Sequence, residues 1–131
     1  ALTGPVVNLG NLDPTRDFTF VTDTVDGFVR IAECSEAVGQ VINIGSGKDI
    51  SIGNVATLIL DLLGSGDVSI RSDDQRVRPN HSEVERLRAD NRKAQQILGW
   101  CTEYTLEEGL LQTTEWVRKN LEKYRRGTYA I

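Results

Sequence analysis

The sequence predicts an α/β chain, built from a strand–helix–strand unit followed by a smaller helix-rich α/β region. Two patterns support this class. Residues 18–44 contain two short strand-like segments on either side of an amphipathic helix, and residues 51–126 are dominated by helical spacing of apolar residues. A strand, a helix and a strand within about 30 residues are typical of a βαβ unit, so we expect the two strands to be parallel with a right-handed crossover.

The elements of the first part follow in order. Gly-Pro and Asp-Pro steps lead us to interpret residues 1–17 as loop. Residues 18–21 predict the first strand and residues 41–44 the second. Thr22 or Asp23 can cap the helix between them. Its apolar side chains share one face, which predicts a buried stripe: Val25, Phe28, Val29 and Ala32.

Three helices are predicted after residue 50, each with a polar cap or a terminal glycine. They lie between Ser51 and Gly64, between Asp90 or Asn91 and Gly99, and after the capping box of Thr105 and Glu108. Short strands are predicted at residues 68–70 and around residues 85–88. This part of the chain is therefore expected to be mainly helical.

Composition and charge exclude several classes of protein. The chain has 131 residues, of which 39% are hydrophobic and 26% charged, as in globular domains. Its net charge of −4 argues against general nucleic-acid binding, which usually requires a basic surplus. The two cysteines, Cys34 and Cys101, favour neither a disulfide framework nor a zinc site and indicate a cytoplasmic setting. No signal peptide and no membrane-spanning run occur in the sequence, so no membrane partner is predicted.

Arginines are the first candidates for a binding site, because a guanidinium donates two parallel hydrogen bonds to a phosphate or carboxylate. Arg16 precedes the first predicted strand. Pro79 restricts the backbone at Arg78 to extended conformations, so this arginine projects from a stiffened loop. The residues alone favour a surface ion pair for Arg16. They leave the loop around Arg78 open between ligand binding and a solvated mixed-charge segment.

Three further features of the sequence are candidates for a site. Asn43, inside the second predicted strand, needs hydrogen-bond partners, and a structural role is favoured for it. His81, the only histidine, has no second metal ligand nearby and is interpreted as a surface residue. The glycine pair at residues 45–47 lacks the third glycine of a dinucleotide loop and is interpreted as a turn. We therefore predict no catalytic residues and no metal site.

Five segments, covering nearly the whole chain, carry recognisable motifs. They are T-R-D-F-T-F-V-T-D-T-V at 15–25, V-I-N-I-G-S-G at 41–47, R-P-N-H-S-E-V at 78–84, D-N-R-K-A-Q-Q-I-L-G-W at 90–100 and T-L-E-E-G-L-L-Q-T-T-E-W at 105–116. In this order they resemble the C-terminal part of the extended short-chain dehydrogenase/reductase family, the NAD-dependent sugar-nucleotide epimerases and dehydratases. The third and fourth segments are most similar to 4,6-dehydratases of nucleotide-activated N-acetylglucosamine in the legionaminic acid pathway. GDP-mannose 4,6-dehydratases have a similar loop.

This resemblance implies an organisation and a reaction. Residues 1–50 would complete the edge of a Rossmann-type sheet, and residues 51–131 would form a substrate-binding region. Such enzymes oxidise C4 of the sugar with bound NAD, eliminate water across C5–C6 and return the hydride to C6. The partner implied for this chain is a nucleotide sugar.

The resemblance also assigns roles to four residues. Arg16 and Arg78 would bind the nucleotide diphosphate from two different segments. Asn43 would lie at the substrate pocket. Glu83 would accept hydrogen bonds from ribose hydroxyls.

Two motifs of the family are absent from the sequence. The glycine-rich NAD-binding motif does not occur, and no Tyr is followed by Lys four residues later. The chain also contains no Met. We therefore expect a C-terminal fragment of a longer enzyme, not catalytic alone, whose N-terminal Rossmann half binds NAD. That half, or self-association, would cover apolar surface. The alternatives are a stand-alone, non-catalytic binding or assembly module and part of a sugar-nucleotide 4-epimerase.

Overall fold

A computed structural model describes residues 4–77 and 83–123 and confirms a mixed α/β architecture with small sheets and four helices. The helices are α1 (Val21–Glu33), α2 (Ile52–Leu63), α3 (Arg92–Leu98) and α4 (Leu106–Lys119). The strands are β1 (Val6–Leu9), β2 (Thr15–Arg16), β3 (Ile50–Ser51), β4 (Ser69–Ser72) and β5 (Arg86–Leu87). None of the described helices is long and apolar enough to cross a bilayer. The division into residues 1–50 and 51–131 stays a prediction.

Two small sheets join the early part of the chain to the late part. β1 pairs in parallel with β4, from Val6 opposite Ser69 to Leu9 opposite Ser72. β2 is the central strand of the second sheet, antiparallel to β3 and parallel to β5. The candidate residue Arg16 therefore lies in the middle strand of three.

The helix boundaries follow the cap signals of the sequence. The Ser51 hydroxyl accepts a hydrogen bond from the backbone N–H three residues later, and Gly64 ends α2 with a φ of 64°. Thr105 and Glu108 form both hydrogen bonds of the capping box, and the backbone N–H and hydroxyl of Thr105 lower the pKa of Glu108. Gly99 ends α3 with a φ of 60°. Both terminal glycines have the left-handed conformation that other residues adopt at a cost.

The strand predicted at residues 18–21 is wrong. Residues 18–20 have no regular structure, and Val21 is already the first residue of α1. Their apolar side chains are used in packing instead. The ring centroids of Phe20 and Tyr104 are 4.9 Å apart, and a β-carbon on Gly109 of α4 would lie only 3.1 Å from Phe20. The alternation in this segment therefore reflects contacts with α4 and not pairing with a strand.

Residues 41–44 also form no strand in the described part of the chain, so the second strand of the predicted βαβ unit is wrong here. A strand needs a hydrogen-bonded neighbour, and this segment instead contacts helices: Ile44 packs on Gly27 of α1, and the segment's hydrogen-bond partners come from α3 and the residues before it. Lys93 Nζ donates to the Val41 carbonyl at 3.2 Å, and Asn91 Nδ2 donates to the Gly45 carbonyl at 2.9 Å. Only the helix of the predicted unit is present as such.

The interpretation of the first 17 residues as loop is wrong for β1 and β2. The Gly-Pro and Asp-Pro steps do lie outside strands, but each directly precedes one. β2 has only two residues, too few to show an alternating pattern. The strands expected after residue 50 are confirmed as β4 and β5, with small differences in their bounds.

Asp23 and Trp100 form the most buried polar contact among the described residues. Trp100 is fully buried, and its indole N–H donates to the Asp23 carbonyl at 3.0 Å. The Asp23 carboxylate is also buried and accepts hydrogen bonds from the backbone N–H groups of Glu103 and Tyr104, at 3.2 and 3.3 Å. Asp23 thus joins α1 to the segment before α4 and does not cap its helix, whose cap position is Phe20.

The apolar stripe predicted on α1 is exposed and not buried. Val25 is 53% exposed and Phe28 64%. Val38 and Val41, which follow the helix, are exposed to 82% and 81%. Because helical spacing places Val21, Val25 and Phe28 on one side of α1, they form an apolar surface, which we call the α1 face. Such surfaces usually mark an interaction site.

Replacing Asp23 with Ala is expected to lower the free energy of unfolding by about 1–3 kcal/mol, because two backbone N–H groups lose their acceptor. Denaturation in urea measures this loss. Asp26→Ala is the matched control: its carboxylate forms a surface pair with Arg30 in the same helix, and its loss should cost less than about 1 kcal/mol. Equal losses in the two variants would contradict the role given to Asp23.

Candidate functional site

The carboxylate of Asp17, directly after β2, joins three segments of the chain. It accepts hydrogen bonds from the backbone N–H groups of Ser46 and Gly47, both at 2.9 Å, and from the Ser46 hydroxyl. A fourth hydrogen bond comes from the N–H of Ala89 at 3.1 Å. The turn and the segment after β5 are therefore both fixed to the end of the central strand.

The local structure explains why this turn contains two glycines. Gly45 is buried, and a β-carbon there would collide with the β-carbon of Ala89. Gly47 has a φ of 74°, which favours glycine. Neither requirement involves a phosphate, so the turn interpretation of residues 45–47 accounts for both glycines.

A cavity of about 540 Å³ lies beside this junction. Two of the four predicted site residues, Arg16 and Asn43, line it together. Phe28 and Leu87 contribute apolar wall, and Arg88 contributes a second cation. The size and the mixture of apolar surface with a few polar groups are typical of small-molecule sites.

Arg16 is fixed by three hydrogen bonds. Its Nη1 donates to the carbonyls of Thr15 and Val84 at 2.8 and 2.7 Å, and its Nη2 donates to Glu83 Oε1 at 2.7 Å. A guanidinium has five N–H groups, so two remain without a partner among residues 4–77 and 83–123. Arg16 is therefore held in place and keeps donors for a ligand.

The other predicted residues differ in their placement. Glu83 contacts Arg16, so two predicted residues lie together. Asn43 is exposed, and within the described residues its amide nitrogen donates only a long hydrogen bond of 3.5 Å to the Asp90 carbonyl. Arg78 and His81 lie outside the described residues.

Asp49, directly before β3, links the three strands of the second sheet. Arg86 donates to both of its oxygens, at 2.9 and 2.7 Å, and the Thr15 hydroxyl donates at 2.7 Å. The hydrogen bonds from Arg86, followed by that from Thr15, hold the pKa of Asp49 below its usual value. Arg86 is thus engaged within the fold, whereas the neighbouring Arg88 makes no hydrogen bond in the described part of the chain.

Asp17 and Arg88 are the residues of this site that sequence reasoning missed. The partners of Asp17 lie 29 to 72 residues away, so the motif at residues 15–25 contains this residue but does not reveal its role. Arg88 lies in a stretch with several arginines, and nothing in the sequence distinguishes it from them. Among the described residues, no group of three or more potential metal ligands occurs.

A second cavity, of about 760 Å³, lies between residues 18–20 and the first turns of α4. Phe18 and Leu110 are among its apolar walls, and Lys48 and Glu107 supply charge. None of the four predicted site residues lines it.

The fold and the first cavity together define an α/β protein with a cavity suited to a small anionic ligand. Comparison with known proteins is more specific. A family model described as GDP-mannose 4,6 dehydratase matches residues 2–113. The chain therefore belongs to this family of NAD-dependent epimerases and dehydratases, as the sequence motifs predicted.

Similar proteins act on sugar nucleotides in several ways. UDP-glucuronic acid decarboxylase 1 of Xenopus tropicalis is 36% identical over 92% of this chain and 27% of its own length. UDP-glucose 4-epimerase of Mycolicibacterium smegmatis is 35% identical over 83% of this chain and 33% of its own length. The chain thus spans about a third of the length of these relatives.

Solved structures agree with this family. dTDP-glucose 4,6-dehydratase of Bacillus anthracis, in complex with NAD, has a TM-score of 0.81 and 27% identity, over 94% of this chain and 38% of that one. MoeE5 in complex with UDP-glucose and NAD has a TM-score of 0.75 and 32% identity, over 92% of this chain and 39% of that one.

Replacing Asp17 with Asn is expected to lower the free energy of unfolding by about 1–3 kcal/mol, because an amide presents one oxygen and places an NH₂ group against backbone donors. Urea denaturation measures the loss, and amide spectra should change first at Ser46, Gly47 and Ala89. Asp13→Asn is the control, since the Asp13 carboxylate accepts no hydrogen bond in the described structure. Unchanged spectra at these three residues would refute the role of Asp17.

Proposed function

We propose that this chain is the nucleotide-sugar-binding portion of an NAD-dependent sugar-nucleotide 4,6-dehydratase. The observation that carries the proposal is Arg16, which lines a cavity with Asn43 and keeps two N–H groups for a ligand. A diphosphate is the anion that best uses a fixed guanidinium, because it accepts parallel charge-assisted hydrogen bonds. Membership of the family and relatives named for UDP-linked sugars support a ligand of this chemistry.

Within the family, we propose a dehydratase of the UDP- or GDP-N-acetylglucosamine type, as in the legionaminic acid pathway. The support is the resemblance of residues 78–84, R-P-N-H-S-E-V, to that group. Arg78 and Glu83 would complete the diphosphate and ribose contacts from this loop. A sugar-nucleotide 4-epimerase is the second candidate, favoured by the 35% identity with the UDP-glucose 4-epimerase of Mycolicibacterium smegmatis.

The role proposed for this chain is to bind and orient the substrate, in the cytoplasm, without catalysis of its own. NAD, which would be bound by an N-terminal half, supplies hydride transfer at the sugar. Arg16 would hold the diphosphate, and Asn43 would contact the substrate beside it. The chain's two cysteines form no disulfide, which is consistent with a reducing compartment.

The α1 face is the surface proposed to meet that N-terminal half. Its exposed Val25 and Phe28 are not covered by other residues of the described chain. About two thirds of the length of the relatives lies outside the part that matches this chain and is available to cover this face. Residues 41–44, which lack a strand partner here, lie beside this face, since Ile42 and Ile44 line the first cavity together with Phe28. A sheet from the other half would supply both a partner strand and an apolar cover.

Ligand titration tests the proposed function. The chain is titrated with UDP, UDP-N-acetylglucosamine, GDP-mannose and NAD while amide chemical shifts are recorded. We expect one nucleotide sugar to shift residues around Arg16 and Asn43, and NAD to have no effect. Arg16→Gln should weaken binding about ten- to a hundredfold, the value of a charge-assisted hydrogen bond.

Lys119→Gln is the control for this titration, because it removes the same charge at the end of α4. Unchanged affinity in Arg16→Gln would contradict the proposed site. No shift with any of the nucleotide sugars would contradict binding by this chain alone.

Self-association tests the α1 face. When the chain is studied alone, we expect concentration-dependent self-association in analytical ultracentrifugation, because the apolar face is exposed to water. Phe28→Glu should shift the equilibrium to the monomer. Gln112→Glu, which adds the same charge on exposed α4, should leave it unchanged. A monomer at every concentration, or equal behaviour of the two variants, would contradict the use of this face.

A further inference from the structure

Arg88 differs from the other arginines around the first cavity. Arg16, which also lines the cavity, holds Glu83 at 2.7 Å, and two arginines close to Arg88 in sequence each hold a carboxylate at 2.7 Å or less: Arg86 with Asp49, and Arg92 with Asp90. Arg88 makes no hydrogen bond and no ion pair among residues 4–77 and 83–123. It lines the cavity together with Arg16 and Asn43.

The acidic groups near Arg88 are already engaged. The Asp17 carboxylate, which also lines the cavity, accepts four hydrogen bonds from backbone and hydroxyl donors. Arg86 and Arg92 lower the pKa of Asp49 and Asp90 by direct hydrogen bonds, and Arg88 acts on both only through space, as the smallest contribution. The guanidinium of Arg88 therefore keeps all its donors for another anion.

We infer that Arg88 is a ligand-binding residue, which donates to the diphosphate of the nucleotide sugar from the part of the cavity wall that directly follows β5. This inference rests on the proposed function and adds a residue to its site. Arg16 supplies a fixed, partly engaged guanidinium, and Arg88 supplies an exposed one whose charge no hydrogen-bonded carboxylate offsets. Two arginines, one in β2 and one directly after β5, then share the two phosphate groups.

The substrate chemistry distinguishes this role from a contact with the hexose. A diphosphate contact depends on the phosphates, so it is present in UDP, UDP-glucose and UDP-glucuronic acid alike. A contact with a sugar carboxylate would be present only in UDP-glucuronic acid. The affinity for uridine, which lacks phosphate, should not depend on Arg88.

Calorimetric titration of the whole chain tests the inference. We expect Arg88→Gln to weaken UDP and UDP-glucose about ten- to a hundredfold, with any uridine binding unchanged. Arg88→Lys should recover part of the loss, since it restores the charge without the planar fork. Arg92→Gln removes an equal charge from a side chain that does not line the cavity, and it should change affinity less than about threefold. Arg88 is exposed, and an unchanged unfolding transition will verify that Arg88→Gln is folded.

Each other result has a defined meaning. If the unmodified chain binds none of these nucleotides, the proposed function fails, and the role of Arg88 with it. If it binds them and Arg88→Gln binds equally well, the inference about Arg88 alone is overturned. A loss confined to UDP-glucuronic acid, or equal losses in Arg88→Gln and Arg92→Gln, would also overturn it.

Discussion

The hydrogen bonds to the Asp17 carboxylate are the constraint on which the candidate site depends. One charged group brings together the end of β2, the turn at residues 45–47 and the segment after β5, which are distant in sequence. Asp17 directly follows Arg16 and lines the same cavity, so the hydrogen bonds that hold Asp17 also fix the backbone from which Arg16 projects. The position of the proposed phosphate-binding arginine is thus set by the residue beside it.

The distribution of charge explains how an acidic chain can hold an anion. The net charge of −4 would repel a diphosphate at long range, but most charges near the cavity are matched in pairs. Arg86 and Arg92 each satisfy an aspartate, and Asp17 is surrounded by N–H and O–H donors. A ligand in the cavity is therefore close to the positive charges of Arg16 and Arg88, although the net charge of the chain is negative.

Features of the fold that depend on neighbouring residues could be predicted from the sequence. A cap is a contact over three or four residues, so Ser51, Gly64 and the Thr105–Glu108 box identified helix ends correctly. Strands depend on a partner elsewhere in the chain. Residues 41–44 have a strand-like composition but no neighbouring strand among the described residues, whereas two-residue β2 has no pattern and is the centre of a sheet.

The same distinction holds for the site. Arg16, Asn43 and Glu83 came from motifs, and the structure brings Arg16 into contact with Glu83 and into one cavity with Asn43. Asp17 and Arg88 escaped notice because their importance lies in which partners they have, or lack, across the fold. The sequence does not show that one aspartate accepts four hydrogen bonds, or that one arginine has no carboxylate partner among the described residues.

The pairing of early strands with late ones has a consequence for how this chain folds. Residue 6 pairs with residue 69 and residue 15 with residue 86, so both sheets require the closure of long loops before their contacts stabilise anything. During synthesis, α2 can form from local contacts as soon as it emerges, while β1 waits for β4 and the pairing of β2 with β5 waits for residues made still later. The cavity is completed last, because β5 supplies its final wall, and β2 keeps an unpaired edge until then.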